Sequence, residues 1–94
     1  MEKKDLFRLD GKTALVTGAS RGIGEAIALA FSRAGAKLVI ASRKLEDLQK
    51  VEARISAEGG QALAVACHTG QEAQVEALVQ AAVARFGGVD ILVN

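Results

Sequence analysis

The chain has no tyrosine, tryptophan or proline, and only one cysteine and one histidine among its 94 residues. The single thiol, Cys67, excludes a disulfide within the chain and a metal cage built from cysteines, and it suits a reducing, cytoplasmic setting. Without tyrosine there is no phenolic hydroxyl to serve as a proton donor. An excess of either charge is lacking too. Twelve Lys and Arg stand against 11 Asp and Glu, a net charge of +1, which leaves no electrostatic footprint for nucleic acid or a membrane surface. Lys3 and Lys4 read as solvated. No apolar run approaches the roughly 18 residues of a membrane span, and no signal-peptide pattern opens the sequence. What remains is half apolar and about a quarter charged, the balance of a globular unit with a core, and short enough for one small domain at most.

Short apolar runs alternate with amphipathic segments along the chain. After a polar lead-in, from which Leu6, Phe7 and Leu9 can tuck against a core, residues 12–17 read as a strand buried on both faces. A helix beginning near Gly22 follows, with Ile23, Ile27, Ala30, Phe31 and Ala34 as its apolar stripe and Gly35 as its stop. Residues 37–41 form the second strand. The next helix turns Leu45, Leu48, Val51 or Glu52, and Ile55 inward and closes at Gly59-Gly60. Residues 62–67 are the third strand. Thr69 and Glu72 have capping-box spacing ahead of a third helix, whose buried stripe is Val75, Leu78, Val79, Ala82, Val83 and Phe86. Gly87-Gly88 ends it, and residues 89–93 supply a fourth strand. The βαβαβαβ order predicts an α/β fold with a doubly wound parallel sheet and right-handed crossovers. A parallel strand such as Ile91-Leu92-Val93 ordinarily has cover on both faces, so residues 1–94 are expected to be the front part of a longer domain.

Three glycines occur within seven residues where the first strand hands over to the first helix, in Thr17-Gly18-Ala19-Ser20-Arg21-Gly22-Ile23-Gly24. Glycine inside a regular element costs about 0.5–1 kcal/mol relative to alanine, so the cluster needs a reason. A backbone approaching an anion at a helix N-terminus supplies one, because free N–H groups and the helix dipole both favour negative charge there. The spacing lacks the Lys-Ser/Thr ending of a nucleoside-triphosphate loop. At the end of the second strand stand Ala41-Ser42-Arg43-Lys44. An acid about 20 residues past such a loop accepts hydrogen bonds from ribose hydroxyls, and here it is replaced by base. Glu46 and Asp47 come later, within the second helix. A methyltransferase-like fold would want the acid at that strand end, which argues against it.

The octet Thr17–Gly24 resembles the T-G-x-x-x-G-x-G loop of the short-chain dehydrogenase/reductase family, and Asp90-Ile91-Leu92-Val93-Asn94 resembles that family's fourth strand entering its N-N-A-G segment. The resemblance covers essentially the whole chain. It implies a Rossmann-type sheet in strand order 3-2-1-4 and a nicotinamide dinucleotide held by Gly18, Ser20, Arg21, Gly22, Ile23 and Gly24. Ser20 would donate to ribose or phosphate, or shape the turn. With Arg21 and Arg43 in place of an acid, NADP(H) is expected over NAD(H), since an arginine grips a 2′-phosphate through forked, charge-assisted hydrogen bonds. Ser42 would line the same place. His68 and Thr69 stand where the family often lines the adenine with Asp-Val, and His68 would offer a ring nitrogen to the adenine amino group or pack on its face. A lone histidine is not a metal site. Asn94 would brace the central sheet near the cofactor ribose, or simply end the strand. Cys67 reads as a small apolar residue at a strand end.

The same resemblance implies an oxidoreductase that interconverts a carbonyl and an alcohol on a small-molecule substrate, with no nucleic-acid or membrane partner, and a homodimer or homotetramer in the intact protein. The family's catalytic Ser, Tyr and Lys lie beyond the N-N-A-G segment, so no catalytic residue is assigned within residues 1–94. The alternative is a non-catalytic NADP(H)-binding module.

Overall fold

In the computed structural model, which describes residues 8–94, four parallel strands alternate with three helices. The strands are β1 (Thr13–Thr17), β2 (Lys37–Ser42), β3 (Ala62–Ala66) and β4 (Ile91–Val93), and the helices are α1 (Gly22–Arg33), α2 (Leu45–Ala57) and α3 (Glu72–Phe86). The sheet runs β3-β2-β1-β4, the order the family resemblance implies. Register is set by in-line pairing of Thr13 with Lys37 through Thr17 with Ala41, and of Ala14, Leu15 and Val16 with Ile91, Leu92 and Val93. Leu6, Phe7, Lys3 and Lys4 lie outside the described residues. Leu9 packs against the core.

Strand alternation divides the interior into two layers. Ala14 and Val16 of β1 and Leu38 and Ile40 of β2 face α1 and α2, where they meet Ala28, Leu29, Leu48, Val51 and Ile55. Leu15, Val39 and Ala41 face the other way, onto Cys67, Leu78 and Ala82. The sheet is therefore wound on both faces, and the continuous apolar runs of β1 and β2 are explained by burial on each. Each fully buried aliphatic side chain contributes about 1.5–3 kcal/mol through removal from water. Cys67 is buried in this second layer, as its small apolar character suggests.

Element ends and helix faces depart from the sequence expectations in places. β1, β3 and β4 are shorter by one or two residues, and β2 extends to Ser42. On α1 the buried pair is Ala28 and Leu29, while Ile23 is 81% exposed and Ala30 is exposed. On α3 only Leu78 and Ala82 are buried; Val79 and Val83 are exposed. Valine and isoleucine carry the strongest apolar signal in a sequence, but within these residues only the edge of each stripe that touches the sheet is buried. Leu45 is exposed too, at the first turn of α2. The capping box at Thr69 does not form. The N-cap of α3 is Gln71, because the chain first makes a turn in which Gln71 N–H donates to the His68 carbonyl at 3.0 Å.

Polar ties fasten the edges. The Glu52 carboxylate accepts the Ala64 N–H at 3.0 Å, occupying a donor on the outer edge of β3. Asp90 accepts the Thr13 N–H at 2.8 Å while its own N–H donates to the Thr13 carbonyl, anchoring the entry to β4. Glu58 receives two hydrogen bonds from Arg33, at 2.8 and 3.0 Å, joining the ends of α1 and α2. These bonds, with the Arg33 and Arg54 charges, hold the Glu58 carboxyl below its ordinary pKa.

Leu48→Ala should cost about 2–5 kcal/mol by leaving a cavity, whereas Val83→Ala should stay within about 0.5 kcal/mol; urea unfolding followed by circular dichroism measures both. For Glu58 the sign follows from its lowered pKa: its stabilisation is present above the ordinary carboxylate value and is lost as pH falls through the depressed one. Glu58→Gln should therefore be less stable than the parent at neutral pH, with the two urea midpoints converging in acid.

Candidate functional site

The carboxyl ends of β1, β2 and β3 open onto a cleft of about 490 Å³ lined by Thr17, Gly18, Ser42, Arg43, Cys67, His68, Thr69 and Asn94. In an open parallel sheet this is the end at which ligands bind. A second cleft of about 420 Å³ lies at the opposite ends of β2 and β3. There Arg33 is paired to Glu58 and Arg8 to Asp10, while Lys37 stands 5.9 Å from the centre of the Phe86 ring.

The turn from β1 into α1 shows why glycine is needed three times. Gly18 and Gly22 have φ of +65° and +64°, a region that side-chain-bearing residues avoid. Gly24 has no such torsion; its constraint is space. A Cβ there would drive into the Gly18 carbonyl, because the first turn of α1 lies against the loop that precedes it. The Ala19 N–H donates to the Ala41 carbonyl at 3.2 Å, tying the loop to the end of β2. No side chain caps α1, so its first N–H groups are available to a ligand at the mouth of the cleft. α2 and α3 also lack side-chain caps; it is the glycine geometry, with open space where Gly18 and Gly22 side chains would stand, that sets α1 apart.

Six of the residues singled out from the sequence, Gly18, Ser42, Arg43, His68, Thr69 and Asn94, meet in this cleft. Ser20, Arg21, Gly22, Ile23 and Gly24 lie in the adjoining loop and first turn rather than in its lining. Arg21 is exposed at the N-cap of α1, in extended conformation. Arg43 is exposed, with no hydrogen bond or ion pair among the described residues, while Glu46 and Asp47 sit in the first turn of α2. The Ser42 hydroxyl accepts the Lys44 N–H at 3.2 Å, which leaves its proton to donate elsewhere. Two lining residues lay beyond the sequence reading. Thr17 closes one wall by donating to the Val93 carbonyl at 3.3 Å and facing Asn94 Oδ1 at 3.4 Å. Cys67 lines the floor. The Thr17 signal was present in the octet, but only the pairing of β1 with β4 shows what its hydroxyl does.

A Rossmann-type parallel α/β sheet, with a glycine-built turn at the carboxyl end of its first strand, is the class these features define. The family profile for short chain dehydrogenases matches residues 12–94, and the chain belongs to that family. It is 43% identical over 94 residues to the 7alpha-hydroxysteroid dehydrogenase of Escherichia coli K12, covering 100% of this chain and 37% of that protein. A 7α-hydroxysteroid dehydrogenase solved with NADH and 7-oxo glycochenodeoxycholic acid superposes with a TM-score of 0.94 at 42% identity, over 100% of this chain and 37% of its own. A metagenomic short-chain oxidoreductase solved with NADP superposes with a TM-score of 0.85 at 42% identity, over 89% of this chain and 38% of the other. The chain thus spans about a third of the length of the relatives it matches.

Gly24→Ala tests the turn. Alanine in a helix ordinarily gains up to about 1 kcal/mol over glycine, but here overpacking against backbone should reverse the sign, with a loss of about 1–3 kcal/mol or more. Ile23→Ala, one residue away and solvent-exposed, should be nearly neutral in the same urea titration.

Proposed function

We propose that the cleft at the β1–β3 ends holds NADP(H), and that these residues are the cofactor-binding part of one Rossmann domain in an oxidoreductase interconverting a small-molecule carbonyl and alcohol. The observation that carries the reading is the unpaired, exposed Arg43 beside the Ser42 hydroxyl, at the strand end where an acid would select NAD(H). Gly18, Gly22 and Gly24 with the free N–H groups of α1 fit a pyrophosphate. Ser20 shapes the turn, Arg21 and Arg43 bracket the 2′-phosphate, Ser42 donates to it, and Ile23 covers its loop face. His68 and Thr69 border the base, and Asn94 lies toward the nicotinamide ribose. The bound cofactor supplies or accepts the hydride. What residues 1–94 contribute is its grip and orientation.

The structural relatives carry NADH in one case and NADP in the other, so the preference rests on Arg43 and Arg21 rather than on kinship. Tyrosine is absent from the chain, so these residues by themselves bind a cofactor and supply no phenolic acid. Among the described residues no helix is long and apolar enough to cross a membrane. A cytoplasmic setting and a homodimeric or homotetrameric intact protein belong to the same proposal.

Fluorescence titration with NADPH and NADH tests the preference. NADPH should bind at least about tenfold more tightly, one charge-assisted hydrogen bond of roughly 1.5–3 kcal/mol being enough. Arg43→Asp should erase the difference or reverse it. Equal binding by the parent protein, or tighter NADH, would overturn it.

A further inference from the structure

His68 is held more tightly than a surface histidine needs to be. Its backbone N–H donates to Gln74 Oε1 at 2.7 Å, its carbonyl accepts the Gln71 N–H at 3.0 Å, and Gln74 Nε2 in turn donates to Gln71 Oε1 at 2.6 Å. The ring is fixed as well. The Gly70 N–H donates to His68 Nδ1 at 3.0 Å, and a Cβ on Gly70 would stand only 2.9 Å from His68 Cε1, so the glycine lets the imidazole lie flush on the turn. A nitrogen that accepts an N–H must present its lone pair. The neutral ring has one proton, which therefore sits on Nε2. Nε2 is the ring's only polar atom without a partner among the described residues, and the side chain borders both the main cleft and a recess of about 270 Å³ beside it, shared with Arg43, Gln71 and Gln74.

The order of strands says which part of a dinucleotide reaches this ring. The glycine turn stands at the end of β1, Arg43 follows β2, and His68 follows β3. Successive strands are about 4.8 Å apart, so the glycine turn and His68 are separated by two strand spacings, roughly 10 Å, with the ribose site between. A pyrophosphate at the first and a ribose phosphate at the second put the purine at the third.

Resting on the dinucleotide reading above, we infer that His68 recognises the purine as a hydrogen-bond donor, so that the base site reads an acceptor and does not select the 6-amino group of adenine. On its N7 edge adenine offers one ring acceptor beside that amino group, whereas a 6-oxopurine offers two acceptors there, N7 and the oxygen; on the other edge adenine N1 accepts, and the 6-oxopurine, whose N1 bears a proton, accepts through the oxygen. A donor at His68 is satisfied by either base. On this inference the ring does not accept from the adenine amino group, one of the two roles the sequence leaves open for it, because the nitrogen able to accept is already used by Gly70.

The test compares NADPH with its hypoxanthine counterpart, reduced nicotinamide hypoxanthine dinucleotide phosphate, by fluorescence titration. The parent protein should bind both within about threefold, or favour the 6-oxo compound. His68→Asp keeps an acceptor for the Gly70 N–H in an Asx-type turn and presents only acceptors to the base, so it should shift the ratio toward adenine by about tenfold or more. A parent protein favouring NADPH more than threefold, or a ratio unmoved in His68→Asp, overturns the assignment of His68 while leaving dinucleotide binding intact. Failure of both compounds to bind overturns the dinucleotide reading and this inference together.

Discussion

The close passage of α1 over the Gly18 carbonyl is the constraint on which the rest of the structure depends. It forces a glycine at position 24, and the left-handed torsions at Gly18 and Gly22 let the chain reverse within four residues of the end of β1. A longer turn would carry the N-terminus of α1 away from the sheet edge, and the helix dipole would no longer face the cleft. The same turn seats Ala28 and Leu29 on Ala14, Val16, Leu38 and Ile40. Cleft and core are thus built by one local geometry.

Charge is distributed with the same economy. Away from the cleft three arginines are ion-paired: Arg33 with Glu58, Arg8 with Asp10, and Arg54 of α2 with Glu25 in the first turn of α1. At the carboxyl ends Arg43 stands without an ion pair, next to backbone N–H groups that also favour an anion. Placing a cation at the start of a helix is unfavourable in isolation, and becomes favourable when a polyanion occupies the space between.

Much of this was legible in the sequence because it depends on local periodicity and on glycine. The strand order, the helix stops at Gly35 and Gly87, and the convergence of Gly18, Ser42, Arg43, His68, Thr69 and Asn94 all follow from spacing and family likeness. The helix faces were less legible. Val79, Val83 and Ile23 look like core residues in a periodic stripe, yet they are exposed, since only contact with the sheet decides which edge of the stripe is covered. The cap of α3 departs from its sequence spacing for a related reason: the turn closed by His68 and Gly70 competes with a capping box at Thr69 and delays the helix to Glu72.

The sequence by itself determined the α/β class, the place of the glycine turn and the basic character of the second strand end, because each is carried by residues adjacent in the chain. Only the tertiary structure decided what distant residues do to one another. It set the Thr17 hydroxyl against the β4 end, the Asp90 carboxylate on the Thr13 N–H, and the Glu52 carboxylate on the edge of β3. It also set the Gly70 N–H on His68 Nδ1 and so left the ring proton to Nε2, since a tautomer is chosen by the group that occupies the other nitrogen, and that group is visible only once the turn is folded.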